Sequence, residues 1–228
     1  MPNYVIATTK SWNISNAEAL VNSNITSNIF LITNKSDLKK EYLNSLKPEY
    51  IFFPHWSWII PEEIYNNFNC VVFHMTDLPF GRGGSPLQNL IVRGIYNTKI
   101  SAIKVTADLD AGPIYMKESV DISNGNAEQI LKRVSCIIFQ KMIPRFFNET
   151  LIAEDQIGEP VLFKRRTAEQ SEIPIDLTEI QLYDYIRMLD GEGYPPAFIK
   201  NGDFKILFSD AEFKNGHIIA KAEFVKEK

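Results

Sequence analysis

The chain has 228 residues, of which 45% are hydrophobic and 23% charged, and its 24 basic and 28 acidic side chains give a formal net charge of −4. This composition is that of a globular protein and excludes a disordered or collagen-like chain. The acidic balance disfavours a nucleic-acid partner, and the lack of any apolar run near the ~20 residues of a membrane span disfavours a membrane partner.

Short apolar strands alternate with helical patterns from the start of the chain. Strands are predicted over 4–8, 29–33, 50–53 and 71–74, and helices over 15–22, 36–46 and 61–67. Continuous apolar strands separated by helices are typical of a mostly parallel sheet covered on both faces. The sequence therefore predicts an α/β fold.

A turn-rich segment beginning at Asp77 follows the fourth strand and leads into a helix. Ser85 is the expected N-cap of that helix and Pro86 its first residue. Strands over 100–105 and 113–120 then form a hairpin. The longest helical pattern covers 127–147, where Pro144 should kink or end the helix because proline has no N–H to donate.

The composition changes after about residue 157. We expect a catalytic core over 1–157 and a small α+β C-terminal appendage over 158–228. Within the appendage the patterns predict a strand over 159–164, a helix over 177–189, and hairpin turns at 201–203 and 215–216.

Cys70 and Cys136 lie in apolar contexts and are interpreted as buried free thiols of a reducing compartment. Two distant cysteines and three scattered histidines do not make a metal site, so none is expected. The first strand is not followed by the glycine fingerprint of dinucleotide-binding proteins. The glycine cluster 81–84 also lacks the Lys-Ser/Thr ending of a phosphate-binding loop.

One pair of residues stands out from these patterns. His74 ends a predicted strand, where open parallel sheets bind ligands, and Asp110 lies in a tight turn after a later strand. A single histidine at a strand end and a single Asp-Ala-Gly turn are each commonly structural. Periodicity alone therefore leaves both the structural and the functional interpretation open.

The segment HMTDLPFGRGGSP, from His74 to Pro86, resembles a motif of the folate-dependent formyltransferases, the methionyl-tRNA formyltransferase-like family. The family places its catalytic aspartate in an Asp-x-Gly turn at a fixed distance from the histidine, and Asp110 stands at that distance from His74. The resemblance covers roughly residues 1–150 and implies a Rossmann-like core. The tail motifs FKRRTAEQS and LYDYIRMLDGEGYPPAF are similar to the section that follows the core in sugar-nucleotide enzymes.

Within the family, PEYIFFPHWSWIIP is similar to two subgroups: small nucleotide-sugar N-formyltransferases of nonulosonic-acid and flagellin-glycan clusters, and the formylation domain of linear-gramicidin-type peptide synthetases. This resemblance implies formyl transfer from 10-formyltetrahydrofolate to the amine of a nucleotide-linked sugar, with a UDP-4-amino-4,6-dideoxy sugar as acceptor. It also implies surface polysaccharide biosynthesis, a cytoplasmic location and a possible homodimer. Three alternatives stay open: formylation of methionyl-tRNA, formylation of a peptide or amino-acid amine, and an inactive folate-binding module.

The resemblance assigns His74 to proton handling and oxyanion stabilisation, and Asp110 to orienting His74 and balancing its charge, as general acid–base chemistry near neutral pH requires. One departure concerns Val72, because the family has an asparagine two residues before the histidine. Thr76 and Gln88 are candidate replacement donors.

The remaining implied site residues fall into two sets. The folate-binding set is Trp56, Ser57, Trp58, Ile59, Gly83, Val105, Thr106, Ala107 and Asp108. The acceptor-binding set is Lys10, Trp12, Thr76 and Arg82. The two tryptophans after the third strand are equally interpretable as core, Arg82 is equally interpretable as a cap of its loop, and His55 is interpreted as a packed or surface residue.

Overall fold

The computed structural model describes residues 1–226 and consists of two compact units that are interleaved along the chain. The first unit comprises Met1–Arg82, Lys99–Val120 and Lys132–Leu162. The second comprises Gly83–Thr98, Asp121–Leu131 and the segment from Phe163 onward. The boundary near residue 158 stays a prediction. The two units differ from that division in grouping 83–98 and 121–131 with the C-terminal segment.

Eleven strands and seven α-helices form the described part of the chain. The strands are β1 (Asn3–Ala7), β2 (Asn28–Ile32), β3 (Tyr50–Phe53), β4 (Cys70–His74), β5 (Phe80–Gly83), β6 (Asn97–Lys104), β7 (Ile114–Asp121), β8 (Val161–Phe163), β9 (Ala197–Asn201), β10 (Phe204–Lys214) and β11 (His217–Lys226). The helices are α1 (Ser11–Ser23), α2 (Lys40–Leu46), α3 (Glu62–Tyr65), α4 (Pro86–Ile91), α5 (Ala127–Ile137), α6 (Ile143–Asn148) and α7 (Glu179–Arg187).

A six-stranded sheet in the order β2-β1-β3-β4-β6-β7 organises the fold. The pairs β1–β2, β1–β3 and β3–β4 are parallel, and β4–β6 is antiparallel. The prediction of an α/β fold with a mostly parallel, Rossmann-like sheet is therefore confirmed. Strand β4 ends at His74, so the His74 side chain lies at the carboxyl end of a central strand.

One apolar cluster fixes the strands and loops around β4. Buried residues of β1, β3 and β4 form its centre, including Val5, Phe53 and Cys70. Trp56 and Val105 pack against the same cluster from two loops. Because both loops are anchored on one core, the segments that follow β3 and β6 are held in defined positions.

Two helix predictions need correction. The helix expected from Ser36 begins only at Lys40, because Leu38 has a non-helical backbone; Ser36 lies in a separate short 3₁₀ turn. The long pattern over 127–147 is divided by a π-helical turn at Ile138–Met142, just before Pro144. Proline cannot donate to the preceding turn, so a local change in helix geometry at this position is the expected response.

The second unit contains the three-stranded sheet β11-β10-β9 and helix α7. Thr178 and Gln181 form a capping box at the start of α7. Near its end, buried Arg187 contacts Asp184, with Nε and Oδ1 2.6 Å apart. The hairpin turns fall at 202–203 and 215–216, as predicted.

The two cysteines have different environments. Cys70 is buried, and burial raises the pKa of its thiol to about 12. Cys136 is exposed, which corrects the expectation of a buried thiol: α5 turns Ile130 and Val134 inward, and position 136 falls on the opposite face. Among residues 1–226, no helix combines the length and apolar character that crossing a bilayer requires.

Candidate active site

His74 is held at the end of β4 by contacts on both ring nitrogens. Its Nε2 lies 2.7 Å from the carbonyl oxygen of Gly81, and its Nδ1 lies 3.4 Å from Oδ2 of Asp110. A carbonyl can only accept a hydrogen bond, so Nε2 carries a proton and Nδ1 is the nitrogen presented to the carboxylate. Side-chain exposures of 9% for His74 and 13% for Asp110 show that the pair is largely shielded from water.

The turn around Asp110 explains why an Asp-Ala-Gly sequence stands there. Asp110 has a φ of +52°, in the left-handed region that aspartate tolerates better than most residues. A Cβ at Gly112 would lie 1.8 Å from the carbonyl oxygen of Lys104. The turn is therefore pressed against β6 at a point where only glycine fits, and this close approach fixes where Asp110 projects.

The side-chain amide of Gln156 forms hydrogen bonds both to the Asp110 turn and to Arg82. Its Nε2 donates to the carbonyls of Asp110 and Gly112 at 2.8 and 2.9 Å. Its Oε1 accepts from Nε and Nη2 of Arg82 at 3.0 and 2.8 Å. Sequence reasoning missed this residue, because a lone glutamine in a loop of irregular structure has no pattern to reveal it.

The loop after His74 is held by two lysines. Lys117 donates to Oδ1 of Asp77 at 2.5 Å and to the carbonyl of Leu78 at 2.6 Å, and Lys99 lies 3.0 Å from Oδ2 of Asp77. Burial alone would raise the pKa of Asp77, but the hydrogen bonds from Lys117 and Lys99 outweigh it and lower the pKa. This clamp fixes the loop that supplies the Gly81 carbonyl to His74.

The position of the family asparagine is occupied by a side chain without polar atoms. Val72 packs against the apolar cluster and offers no donor. Thr76 is fully buried, and its Oγ1 lies 3.4 Å from the Gly81 carbonyl oxygen that His74 also contacts. Gln88, in the second unit, donates its Nε2 to the carbonyl of Met188 at 3.1 Å. That either residue replaces the asparagine stays a prediction.

The predicted folate residues of the first unit lie on two loops that rise from the shared apolar cluster. Trp56 is half-buried, and its ring centroid lies 5.0 Å from that of Trp58 at an interplanar angle of 70°. The buried Nε1 of Trp56 has no hydrogen-bond partner within the described residues. A pterin ring carries acceptors for such a donor, so the residues present fit this group. The exposed members of the two loops are Ser57, Trp58, Ile59, Ala107 and Asp108, while Val105 and Thr106 are half-buried.

Gly83, the remaining predicted folate residue, belongs to the second unit. Its φ is +107°, and a Cβ there would lie 2.4 Å from the carbonyl oxygen of Phe163. The backbone contact with Phe163 accounts for this glycine structurally. Its role in folate binding stays a prediction.

The predicted acceptor residues separate into two groups. Thr76 and Arg82 belong to the hydrogen-bonded set around His74 and Asp110, through Gly81 and Gln156. Lys10 and Trp12 form a pair at the start of α1, with the Lys10 Nζ 5.5 Å from the Trp12 ring centroid. Two nitrogens of Arg82 donate to Gln156, and its role in acceptor binding stays a prediction.

His55 is packed beside the start of α1. Its Nδ1 accepts from the Asn13 side-chain amide at 3.0 Å, and that amide also faces Oγ1 of Thr8 and the carbonyl of Pro54. Burial, and then the charge of Lys10, lower the pKa of His55 to about 4. His55 is therefore a neutral structural histidine at neutral pH.

Comparisons with known proteins show which family the chain belongs to. The Formyl transferase model matches residues 33–142, and the model described as "Methionyl-tRNA formyltransferase, C-terminal domain" matches 168–225. A solved structure titled methionyl-tRNA formyltransferase from Clostridium thermocellum is 56% identical over 99% of this chain and 100% of that one, with a TM-score of 0.96. The chain belongs to the formyl transferase family.

Two further relatives define how far the likeness to other formyl transferases extends. Methionyl-tRNA formyltransferase of Nitratiruptor is 30% identical over 195 residues, covering 82% of this chain and 63% of that protein. A 4-N formyltransferase from Francisella tularensis is 14% identical with a TM-score of 0.71 over 100% of this chain and 99% of that one, which shows a shared fold. The chain spans between 54% and 65% of the length of the curated relatives it matches. A structure of HypX from Aquifex aeolicus in complex with tetrahydrofolic acid is 15% identical, with a TM-score of 0.72 over 94% of this chain and 39% of that one, and shares the fold.

Proposed function

We propose that this formyl transferase moves a formyl group from 10-formyltetrahydrofolate to a primary amine, with His74 and Asp110 as its catalytic residues. The contact between Nδ1 of His74 and Oδ2 of Asp110, 3.4 Å long and largely buried, carries the proposal. When bound, the donor supplies an activated formyl group, so the chain needs no nucleophile of its own. Trp56, Trp58 and the backbone of 105–108 would hold the donor.

The protein has to remove one proton from the amine and stabilise negative charge on the formyl oxygen. The Nε2 proton of His74 is committed to Gly81, so the ring takes the amine proton at Nδ1. The imidazolium then lies against the Asp110 carboxylate, which stabilises its charge. The same cation stabilises the negative charge that develops on the formyl oxygen. It takes the place of a hydrogen-bond donor at position 72, since Val72 has none. When the bond between the formyl carbon and the folate nitrogen breaks, the imidazolium gives its proton to that nitrogen, and tetrahydrofolate leaves.

The comparisons support methionyl-tRNA as the acceptor better than the nucleotide-linked sugar that the sequence resemblance implied. The Clostridium thermocellum structure, alike along the whole chain, bears the methionyl-tRNA title, as does the model that matches 168–225. The order of preference among the acceptors is therefore reversed with respect to the sequence-based expectation. Methionyl-tRNA is the first acceptor to test.

A nucleotide-linked amino sugar is the second candidate, and the charge of the C-terminal segment favours it. From residue 158 onward the chain has more acidic than basic side chains, whereas tRNA phosphates are bound by a basic face. A role in surface polysaccharide biosynthesis belongs to this second candidate.

The deciding experiment offers the purified chain 10-formyltetrahydrofolate together with methionyl-tRNA or with UDP-, dTDP- and GDP-linked 3-amino and 4-amino dideoxy sugars. Mass spectrometry of each acceptor detects addition of one formyl group. We expect one acceptor class to be formylated, and formylation to be lost in His74→Ala. Binding of tetrahydrofolate without any formylated product would contradict both named acceptors. That result would leave a peptide amine or an inactive folate-binding module as the alternatives.

A further inference from the structure

The indole N–H of Trp56 is a buried donor that meets no acceptor inside the described chain. Its Nε1 has no hydrogen-bond partner within residues 1–226, and the only other side-chain N–H of the first unit in this condition, among the same residues, belongs to Trp12. Leaving a buried donor unpaired is costly, so each such group needs an explanation. A bound molecule that brings an acceptor to the indole would supply one.

Trp56 stands at the same edge of the sheet as His74. Strands β3 and β4 are parallel neighbours, with Phe53 opposite Val72. Trp56 follows the end of β3, and His74 is the last residue of β4. Two residues apart in a strand, Val72 and His74 share one face of the sheet. Trp56 and Val72 pack against one apolar cluster, and the Trp56 ring centroid lies 5.7 Å from that of Phe53. The indole is therefore on the side of the site where position 72 has no polar atom.

The His74 imidazolium acts on the formyl oxygen through its charge, because both of its N–H groups have other acceptors. Nε2 lies 2.7 Å from the carbonyl oxygen of Gly81, and Nδ1, once it holds the amine proton, faces the Asp110 carboxylate. Val72 has no donor, and Oγ1 of Thr76 lies 3.4 Å from the same Gly81 carbonyl oxygen. A directed hydrogen bond to the formyl oxygen therefore has to come from another group.

We propose that Nε1 of Trp56 donates a hydrogen bond to the formyl oxygen during transfer. This role rests on the proposed function, formyl transfer from 10-formyltetrahydrofolate. As the amine nitrogen bonds to the formyl carbon, an electron pair of the carbonyl moves onto the oxygen, and the indole N–H meets the developing negative charge. The indole keeps its proton throughout, because it is a donor only. When the bond from carbon to the folate nitrogen breaks, the carbonyl forms again.

Two other candidate donors are less suited to this role. Trp12 belongs to α1, which follows β1, and β3 separates β1 from β4 in the sheet. Gln88 belongs to the second unit, where its Nε2 donates to the carbonyl of Met188. Trp56, in contrast, follows the strand that adjoins β4.

Nuclear magnetic resonance of the indole protons tests the hydrogen bond without any turnover. The chain has three tryptophans, so its spectrum has three indole N–H signals, and Trp56→Phe identifies the one from Trp56. The two ligands compared are tetrahydrofolate and 10-formyltetrahydrofolate, with no acceptor present. We expect the Trp56 signal to move to higher chemical shift only with the formylated ligand, since a hydrogen bond deshields the proton. The Trp12 signal should be the same with both.

The outcomes of this comparison separate the two proposals. Equal positions of the Trp56 signal with the two bound ligands would overturn the role of Trp56 and leave the proposed function standing. A chain that binds neither ligand would overturn both.

Kinetics with an acceptor that the native chain formylates provide a second test. Trp56→Phe keeps an aromatic ring in the cluster and removes the N–H. It should lower kcat on the order of 10²-fold and change the KM for the formyl donor little, since the bond strengthens as charge develops. Phe68→Leu is the matched control: Phe68 packs against the same cluster but has no donor, so kcat should stay near the native value. Equal losses of kcat in the two variants would show that Trp56 acts through packing alone, which overturns the proposal.

Discussion

The side-chain amide of Gln156 donates to the carbonyl of Asp110 at 2.8 Å and, through its oxygen, accepts from Arg82. The turn that presents the Asp110 carboxylate to His74 is thus held by a residue between the two regions that match the family models, 33–142 and 168–225. We propose that Gln156 is a positioning residue: it would act on the proposed catalytic pair, His74 and Asp110, through the backbone of the turn.

Replacing Gln156 by alanine should lower kcat about tenfold and leave the KM for the formyl donor little changed, because the turn loses two hydrogen bonds to its carbonyls. The direct readout is the NMR chemical shift of the His74 ring protons at one fixed pH. The chain has only three histidines, so the His74 signals can be resolved. We expect these chemical shifts in Gln156→Ala to move toward those of Asp110→Asn.

Arg82→Ala provides the control for this prediction. It removes the bonds from Arg82 to Gln156 but keeps both bonds from Gln156 to the turn. The chemical shifts of the His74 ring protons should therefore remain as in the native chain. An identical change in both variants would show that the glutamine acts only through general stability.

Asp110→Asn should reduce the formylation rate by on the order of 10²–10⁴, the range for loss of a general acid–base or charge-stabilising group. Asparagine keeps the size of the side chain and tolerates the left-handed backbone at this position, so folding should be preserved. The matched control is Asp108→Asn, an exposed aspartate in the same loop. Equal rate losses in the two variants would remove Asp110 from the catalytic pair.

Gly112→Ala should destabilise the first unit, because its Cβ would lie 1.8 Å from the carbonyl oxygen of Lys104 and the backbone must move. Overpacking of this kind costs roughly 1–3 kcal/mol and sometimes more. Gly94→Ala is the comparison, since a Cβ at Gly94 meets nothing within 4 Å and only its positive φ is unfavourable. Urea unfolding of both variants measures the difference. A smaller loss of unfolding free energy in Gly112→Ala than in Gly94→Ala would show that the backbone of the turn adjusts at little cost.

His55 should make the folded state less stable as the pH falls. Its pKa is about 4 in the folded chain and 6.5 as an ordinary histidine, so between these values the unfolded chain binds the extra proton. Stability should decline from about pH 6.5 to pH 4, by at most about 3.4 kcal/mol, with no further contribution from His55 below that range. His55→Asn accommodates the left-handed backbone and does not titrate, so its stability should change less over this range. Equal pH dependence in both chains would contradict the assignment.

The sheet was predictable from sequence because apolar runs mark β1, β3 and β4. The contact between His74 and Asp110 was predictable only through the family resemblance, which sets the spacing between the His74 motif and the Asp-Ala-Gly turn. Gln156 and the Lys117 clamp on Asp77 were not predictable, since each depends on a single polar contact between distant segments. The π-helical turn before Pro144 was partly predictable. The proline indicated that the helix would be irregular at this position, but it did not indicate that the irregularity would be a π-helical turn.

The placement of the tryptophans makes the first unit separately observable. The three tryptophans of the chain are Trp12, Trp56 and Trp58, and all belong to that unit. The second unit contains tyrosines, such as Tyr96 and Tyr194, but no tryptophan. Fluorescence excited beyond tyrosine absorption therefore reports on one unit alone, while circular dichroism reports on both. Melting curves that differ between the two signals would show that the units unfold in separate steps, without any label being added to the protein.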